Sequence, residues 1–149
     1  MSYDYHLIPG TLLKLGTERH KEVLDGIDNL SNIGSFGLSE LGYGNNLVEM
    51  ETTATYDAVT DEFVMNTPSV KAQKYWITNG ALHANYMVVF AQLYTGGVNR
   101  GIHGVLVRIR DHKGNTMPGF LGTYHCLIEC FSSLRPCFAF QQVHIAVQI

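Results

Sequence analysis

Trp76, the single tryptophan of the chain, stands in Lys74-Tyr75-Trp76-Ile77-Thr78-Asn79-Gly80, with a hydroxyl two residues later at Thr78. An upstream segment, Phe36-Gly37-Leu38-Ser39-Glu40-Leu41-Gly42-Tyr43-Gly44-Asn45-Asn46, brings a second hydroxyl at Ser39. An indole is a large, rigid, apolar face, and hydroxyls are hydrogen-bond donors for the rim of whatever lies on it. A planar amphipathic ring such as a flavin needs both, because a protein tunes its chemistry through stacking and in-plane hydrogen bonds. On an extended chain Trp76 and Thr78 project to the same side. Taken alone, Trp-x-Thr describes core packing equally well, the commoner fate of a tryptophan in a β domain.

Gly42-Tyr43-Gly44-Asn45-Asn46 offers two readings. Glycines let backbone N–H groups approach a phosphate closely, since positive φ costs them nothing. They serve a plain turn in the same way, and no third glycine or βαβ pattern makes this a dinucleotide fingerprint. Glu40 is the carboxylate nearest this loop and is expected to hydrogen-bond the neighbouring backbone. His83 and His103 lie in or beside apolar segments without an evident carboxylate partner, so both read as packed or partly exposed rather than as general bases. Cys126, Cys130 and Cys137 are an odd set, which argues against a disulfide framework. With His125 and His144 nearby they still do not complete a four-ligand zinc pattern, so no metal is expected.

The chain has 149 residues, 46% of them hydrophobic and 15% charged, a balance that supports one folded core rather than disorder. A net charge of −3 gives no electrostatic reason to expect nucleic acid as a partner. No apolar run approaches the roughly 20 residues of a membrane-spanning helix. The N-terminus lacks the order of a secretory signal, and Ala146-Val147-Gln148-Ile149 is not a peroxisomal tripeptide.

These residues need strands to position them. Met50-Glu51-Thr52-Thr53-Ala54-Thr55-Tyr56 and Glu62-Phe63-Val64-Met65-Asn66-Thr67 read as two strands of a hairpin turning through residues 57–61. Residues 86–95 form a nearly continuous apolar strand, expected to be covered on both faces, and residues 101–110 return as its partner after Gly96-Gly97. Asp111-His112-Lys113-Gly114-Asn115 is another turn. Ahead of the strands, Thr17 is a plausible N-cap and Gly26 is placed to end a short polar helix, with residues 28–33 as a loop. Short strands joined by turns give a mainly β chain, an antiparallel barrel or sandwich. Residues 121–149 change character, and their alternating run Val143-His144-Ile145-Ala146-Val147 is either an added strand or part of a divergent tail.

The two aromatic and hydroxyl segments belong to a longer ordered set: Leu15-Gly16-Thr17-Glu18-Arg19-His20, Asp25-Gly26-Ile27-Asp28-Asn29, Glu51-Thr52-Thr53-Ala54-Thr55-Tyr56-Asp57, Thr67-Pro68, Gly101-Ile102-His103-Gly104 and Ile109-Arg110-Asp111. Across residues 12–119 this resembles the acyl-CoA oxidases, at the junction of their N-terminal helical domain and middle β domain. Glu-Thr-Thr-Ala-Thr-Tyr-Asp is more specific to the oxidases, whereas Lys-x-Trp-Ile-Thr-Asn-Gly is shared with the related acyl-CoA dehydrogenases. The resemblance divides the chain into a remnant of the helical domain (1–33), the middle β domain (34–120) and a divergent tail (121–149), with the barrel incomplete.

What the resemblance implies about function follows by position. The family binds FAD, and Leu38, Ser39, Trp76 and Thr78 fall at flavin-contacting positions. Ser39 replaces the family's usual threonine and keeps its hydroxyl, while many oxidases carry glycine where Thr78 stands. Gly44 and Asn45 fall on the side of the fatty acyl-CoA substrate, with Asn45 replacing a serine or threonine that often touches CoA, and Tyr43 replacing the histidine of Gly-His-Gly. The family oxidises acyl-CoA with molecular oxygen to trans-2-enoyl-CoA and hydrogen peroxide, using a glutamate base from a C-terminal helical domain. None of the glutamates here holds that position. The resemblance therefore implies an inactive part of an FAD-dependent oxidase of peroxisomal fatty-acid β-oxidation, homodimeric in its full-length form. With no C-terminal peroxisomal signal in the chain, a cytoplasmic location is the alternative. A non-catalytic binding or regulatory fragment, a dehydrogenase and an unrelated β-barrel binding protein are the rival readings.

Overall fold

The computed structural model describes residues 4–125, 135–140 and 143–146. In chain order the elements are α1 (Asp4–Leu15), a 3-10 turn (Glu18–His20), α2 (Lys21–Asp28), β1 (Gly34–Gly37), β2 (Thr53–Asp57), β3 (Glu62–Asn66), β4 (Lys74–Tyr75), β5 (Tyr86–Thr95), β6 (Val98–Arg108), β7 (Phe120–His125), β8 (Arg135–Phe140) and β9 (Val143–Ala146).

β5 organises them. Its side chains alternate between two apolar clusters, as the two-residue period of a strand requires. Met87, Val89 and Ala91 enter one cluster with Ala54, Met65, Ile77, Val107, Ile109, Phe120 and Phe140. Val88 enters the other with Ile8, Leu12, Val23 and Ile27 from the two helices, flanked by Phe36, Tyr86 and Phe90. Both faces are covered, as the unbroken apolar run demands. The Phe36 and Phe90 rings meet at 5.0 Å between centroids, a tilted pair.

One edge of β5 is divided between two strands. β1 pairs with it in parallel over Gly34–Gly37 against Tyr86–Val89, and β2 does so further along, over Thr53–Thr55 against Gln92–Tyr94. The other edge pairs antiparallel with β6, with a bulge between Gln92 and Tyr94. β3 continues the sheet from β2, and β9 continues it from β3. β4, β8 and β7 form a second, three-stranded sheet. The expected mainly β, unclosed domain is what forms, and within it the β1 and β2 ladders run parallel to β5 rather than antiparallel. β8 and β9 pair within the sheets, so residues 135–140 and 143–146 of the segment read as a divergent tail add strands. Cys126 and Cys130 lie outside the described residues, whereas Cys137 and His144 sit in different sheets.

The β5–β6 hairpin turns through Gly96 and Gly97, both at positive φ (57° and 76°), between the paired Thr95 and Val98. A two-residue turn with both central residues left-handed matches the twist of the strands, and glycine takes it without strain. β6 therefore begins at Val98, three residues before the expected start. Gly97→Ala is expected to lower the urea-unfolding free energy by about 1–2 kcal/mol, the penalty of placing a Cβ at that φ. An unchanged midpoint would contradict the turn assignment.

Gly26 does not end its helix. α2 continues to Asp28, and the left-handed residue beyond it is Leu30, at φ 63°. Gly26 is needed for space: a Cβ there would lie 2.1 Å from the Asn32 amide nitrogen, and the Asn32 N–H donates to the Gly26 carbonyl at 2.8 Å. Thr17 does start the following 3-10 turn, its N–H donating to His20 Nδ1 at 3.0 Å.

Candidate functional site

A short antiparallel ladder joins the two segments singled out in the sequence. The Tyr75 N–H donates to the Ser39 carbonyl at 3.0 Å, Leu41 N–H to Gln73 at 2.8 Å, and Gly42 N–H to Lys71 at 2.8 Å. Glu40 and Lys74 face each other as a bridge. Ser39 and Trp76, 37 positions apart in the sequence, are thus one residue out of register with a hydrogen-bonded pair. Leu38 and Ser39 are half-buried, and Thr78 is exposed.

Trp76 itself does not continue the strand. β4 ends at Tyr75, and Trp76 takes φ 61°, so its relation to Thr78 is not the same-side spacing of an extended chain. The physical reason lies one residue on. Ile77 is buried in the main cluster at 2% exposure, and the left-handed kink turns it inward while leaving Trp76 at 66%. A non-glycine residue held at positive φ is uncommon, and such strain gathers where a fixed side-chain direction matters.

Behind the ladder lies a buried ion pair. Lys74 Nζ is 3.1 Å from Glu40 Oε1, with the side chains 0% and 1% exposed. Lys74 also donates to the Leu38 carbonyl at 3.2 Å. The Glu40 carboxylate accepts the Glu51 N–H at 2.9 Å, the Thr52 N–H at 3.0 Å and the Thr52 hydroxyl. The expectation that Glu40 bonds loop backbone holds, and Lys74 is the partner that sequence reasoning missed. Burial pulls the Lys74 ammonium down from 10.5 to about 8, against the opposing pull of Glu40.

The sign of the resulting pH dependence is fixed. Between about 8 and 10.5 the unfolded chain holds a proton that the folded chain has released, so stability rises with pH there. The full cost is present below about 8 and gone above 10.5. From about pH 7.5 to about pH 10, unfolding free energy should rise by about 2 kcal/mol relative to Lys74→Met. Parallel urea curves for the two proteins at both pH values check this, and a constant difference would refute it.

The glycine loop is a turn, not an amide cradle. Tyr43 and Gly44 N–H both donate to the Glu40 carbonyl, Gly44 returns its carbonyl to Glu40 N–H at 2.9 Å, and Asn46 N–H donates to Tyr43 at 3.0 Å. With Leu41 and Gly42 already committed, the Gly42, Tyr43, Gly44 and Asn46 amides are all spent inside the chain. The Tyr43 and Ser69 hydroxyls both donate to the Glu51 carboxylate and hold it below the ordinary carboxylate range, Ser69 foremost. Gly44 and Asn45 remain exposed.

Arg110 secures the far end of the tryptophan segment. Its guanidinium donates to the carbonyls of Gly80 at 2.7 Å, Ala84 at 2.8 Å and Ala81 at 2.5 Å, and it lies 5.8 Å over the Phe120 ring. At 5% exposure it is an interior cation satisfied by backbone, and it gathers the whole turn of residues 79–84. The sequence carries no signal of this role, since Arg110 reads there as the last residue of the strand expected over residues 101–110, whereas β6 ends at Arg108. His83 and His103 are both exposed, away from any buried carboxylate pair.

No family model matches the chain. Its sequence is 47% identical over 116 residues to a putative peroxisomal acyl-coenzyme A oxidase 3.2 of Arabidopsis thaliana, covering 76% of this chain and 17% of that protein. The chain belongs with the acyl-CoA oxidases. The fold agrees: acyl-CoA oxidase-1 of Caenorhabditis elegans, complexed with FAD and ATP, superposes with a TM-score of 0.84 at 30% identity over 93% of this chain and 22% of that one. Arabidopsis thaliana acyl-CoA oxidase 1 gives 0.85 at 29% identity over 95% and 22%. The chain spans about one fifth of the length of these oxidases, and likeness of fold covers more of it than likeness of sequence. Among the described residues no helix is long and apolar enough to cross a membrane.

Proposed function

We propose that this chain forms one wall of the flavin site of an acyl-CoA oxidase of fatty-acid β-oxidation. In this reading residues 34–120 are the middle β domain and residues 1–33 a remnant of the preceding helical one. Trp76 lies against an FAD isoalloxazine, Leu38 approaches it with backbone, and the Ser39 and Thr78 hydroxyls donate to its rim. The observation that carries the reading is the Tyr75–Ser39 hydrogen bond at 3.0 Å, which brings the indole-bearing and hydroxyl-bearing segments together. Trp76 is itself two-thirds exposed beside that junction. These residue types fit a flavin, which when bound accepts hydride from the substrate. A CoA contact at the glycine loop falls to the exposed Asn45, because the Gly42, Tyr43, Gly44 and Asn46 amides are occupied.

The chain supplies a wall and no base. Proton abstraction needs a positioned carboxylate, so oxidase activity from these residues alone is negligible. The whole enzyme's conversion of acyl-CoA and oxygen to trans-2-enoyl-CoA and hydrogen peroxide, its location in the peroxisome and its dimeric state are extended here from the family. Purified chain is expected to retain little flavin absorbance with or without added FAD. Tight stoichiometric retention would overturn the view of it as half a site. In a protein completed with the remaining oxidase domains, Trp76→Ala should weaken FAD binding about tenfold, the loss of one stacked aromatic. Unchanged affinity would remove Trp76 from the wall.

A further inference from the structure

We infer that Glu40 and Lys74 are positioning residues that fix Ser39 against Trp76, an inference that rests on the flavin-wall reading. A buried ion pair is a poor device for stability, since an apolar pair of similar volume commonly does as well or better. What ions provide is direction, and every partner of this pair is part of the wall or its supporting loop. Lys74 Nζ holds the Leu38 carbonyl, immediately before Ser39, and the Glu40 carboxylate holds the amides of Glu51 and Thr52. The Glu40 backbone is tied in both directions to Gly44. Glu40 follows Ser39 in the chain, and Lys74 precedes Tyr75, whose N–H binds the Ser39 carbonyl, and then Trp76.

Ser39 and Trp76 are therefore each held within two residues of the same ion pair. Any displacement of Lys74 moves the Leu38 carbonyl and the base of the tryptophan kink together. An apolar replacement would fill the volume and leave the height of Ser39 relative to Trp76 unspecified. The lowered Lys74 ionisation, about 8, supplies a handle on this arrangement. The groups around it are Glu40, the Met50 thioether at 3.6 Å and the Leu38 carbonyl, with Glu51, Tyr43 and Lys71 beyond them on the loop and turn. Tyr43 is held above its ordinary value of 10.0, foremost by Glu51, and Glu51 below 4.5, so neither titrates near 8.

The test uses the 149-residue chain labelled with nitrogen-15, in which the single tryptophan gives one indole N–H resonance. In the unsubstituted chain that resonance should move with pH about a midpoint near 8. In the double variant Glu40→Leu with Lys74→Met the pH response should vanish. Amide exchange at Tyr75 and Leu41 should then accelerate about tenfold or more while the β5–β6 amides keep their protection. In a protein completed with the remaining oxidase domains, the double variant should bind FAD more weakly than the unsubstituted protein does. Retained Tyr75 protection in the double variant, or an indole resonance flat through pH 8 in the unsubstituted chain, overturns the inference. The second readout needs no substitution, so a variant that fails to fold does not shield it. If pH and exchange behave as expected while FAD affinity of the completed protein is unchanged both in the double variant and in Trp76→Ala, the positioning role stands and the flavin reading falls.

Discussion

Glu40→Ala lowers the unfolding free energy by about 3–5 kcal/mol, the usual cost of deleting one partner of a buried pair. The loss is large because nothing replaces what Glu40 does. Lys74, at 0% exposure, keeps an ammonium with the Leu38 carbonyl as its remaining oxygen partner, and the Glu51 and Thr52 amides lose their acceptor. Lys74 responds by releasing its proton, which turns part of the penalty into a pH dependence displaced further downward. Urea unfolding at neutral pH measures the effect. A loss below about 1 kcal/mol, the scale of an exposed pair, would mean that water reaches this pair.

Arg110→Ala is expected to cost a similar amount, about 3–5 kcal/mol, by a different route. The guanidinium fork satisfies three carbonyls at once, and an unsatisfied buried acceptor costs about 1–3 kcal/mol. The sum is not reached, because opening the turn lets water in. The Ala84 N–H to Asn79 bond at 3.0 Å, and the His83 N–H to Asn79 bond at 3.2 Å, should exchange faster than the sheet amides. Arg110→Lys should recover little, because a point charge cannot reach carbonyls that a planar fork spans. Full recovery in that variant would show that charge, not geometry, holds residues 79–84.

The parts of the fold legible in sequence are those encoded locally. Gly96-Gly97 announces its hairpin, residues 57–61 announce another, and the apolar run of β5 states that both its faces are covered. Where the answer depends on residues distant in sequence, local reading fails. Nothing near Lys74 indicates that its ammonium is interior, since its partner lies 34 positions away. Gly26 looks like a helix stop until Asn32 is seen packed against it. The same-side spacing of Trp76 and Thr78 assumes an extended chain, and the burial of Ile77 overrides that assumption. The glycine loop was ambiguous because a turn and a phosphate cradle use the same residue. Only the committed amides separate them. Chemistry and motif name Ser39 and Trp76 together, and the Tyr75–Ser39 bond brings the two segments that carry them side by side.

The shared edge of β5 has a bearing on how the chain acquires its structure. β1 must wait for a partner that begins at Tyr86, opposite Gly34, and β2 waits for Gln92. Neither parallel contact can form from a neighbouring hairpin, so the entropic penalty of closing long loops precedes the reward of pairing. During synthesis on the ribosome the β2–β3 hairpin emerges first and stands with an unpaired side until β5 arrives. The late strand thus acts as the keystone, since its arrival sets when both parallel pairs can close.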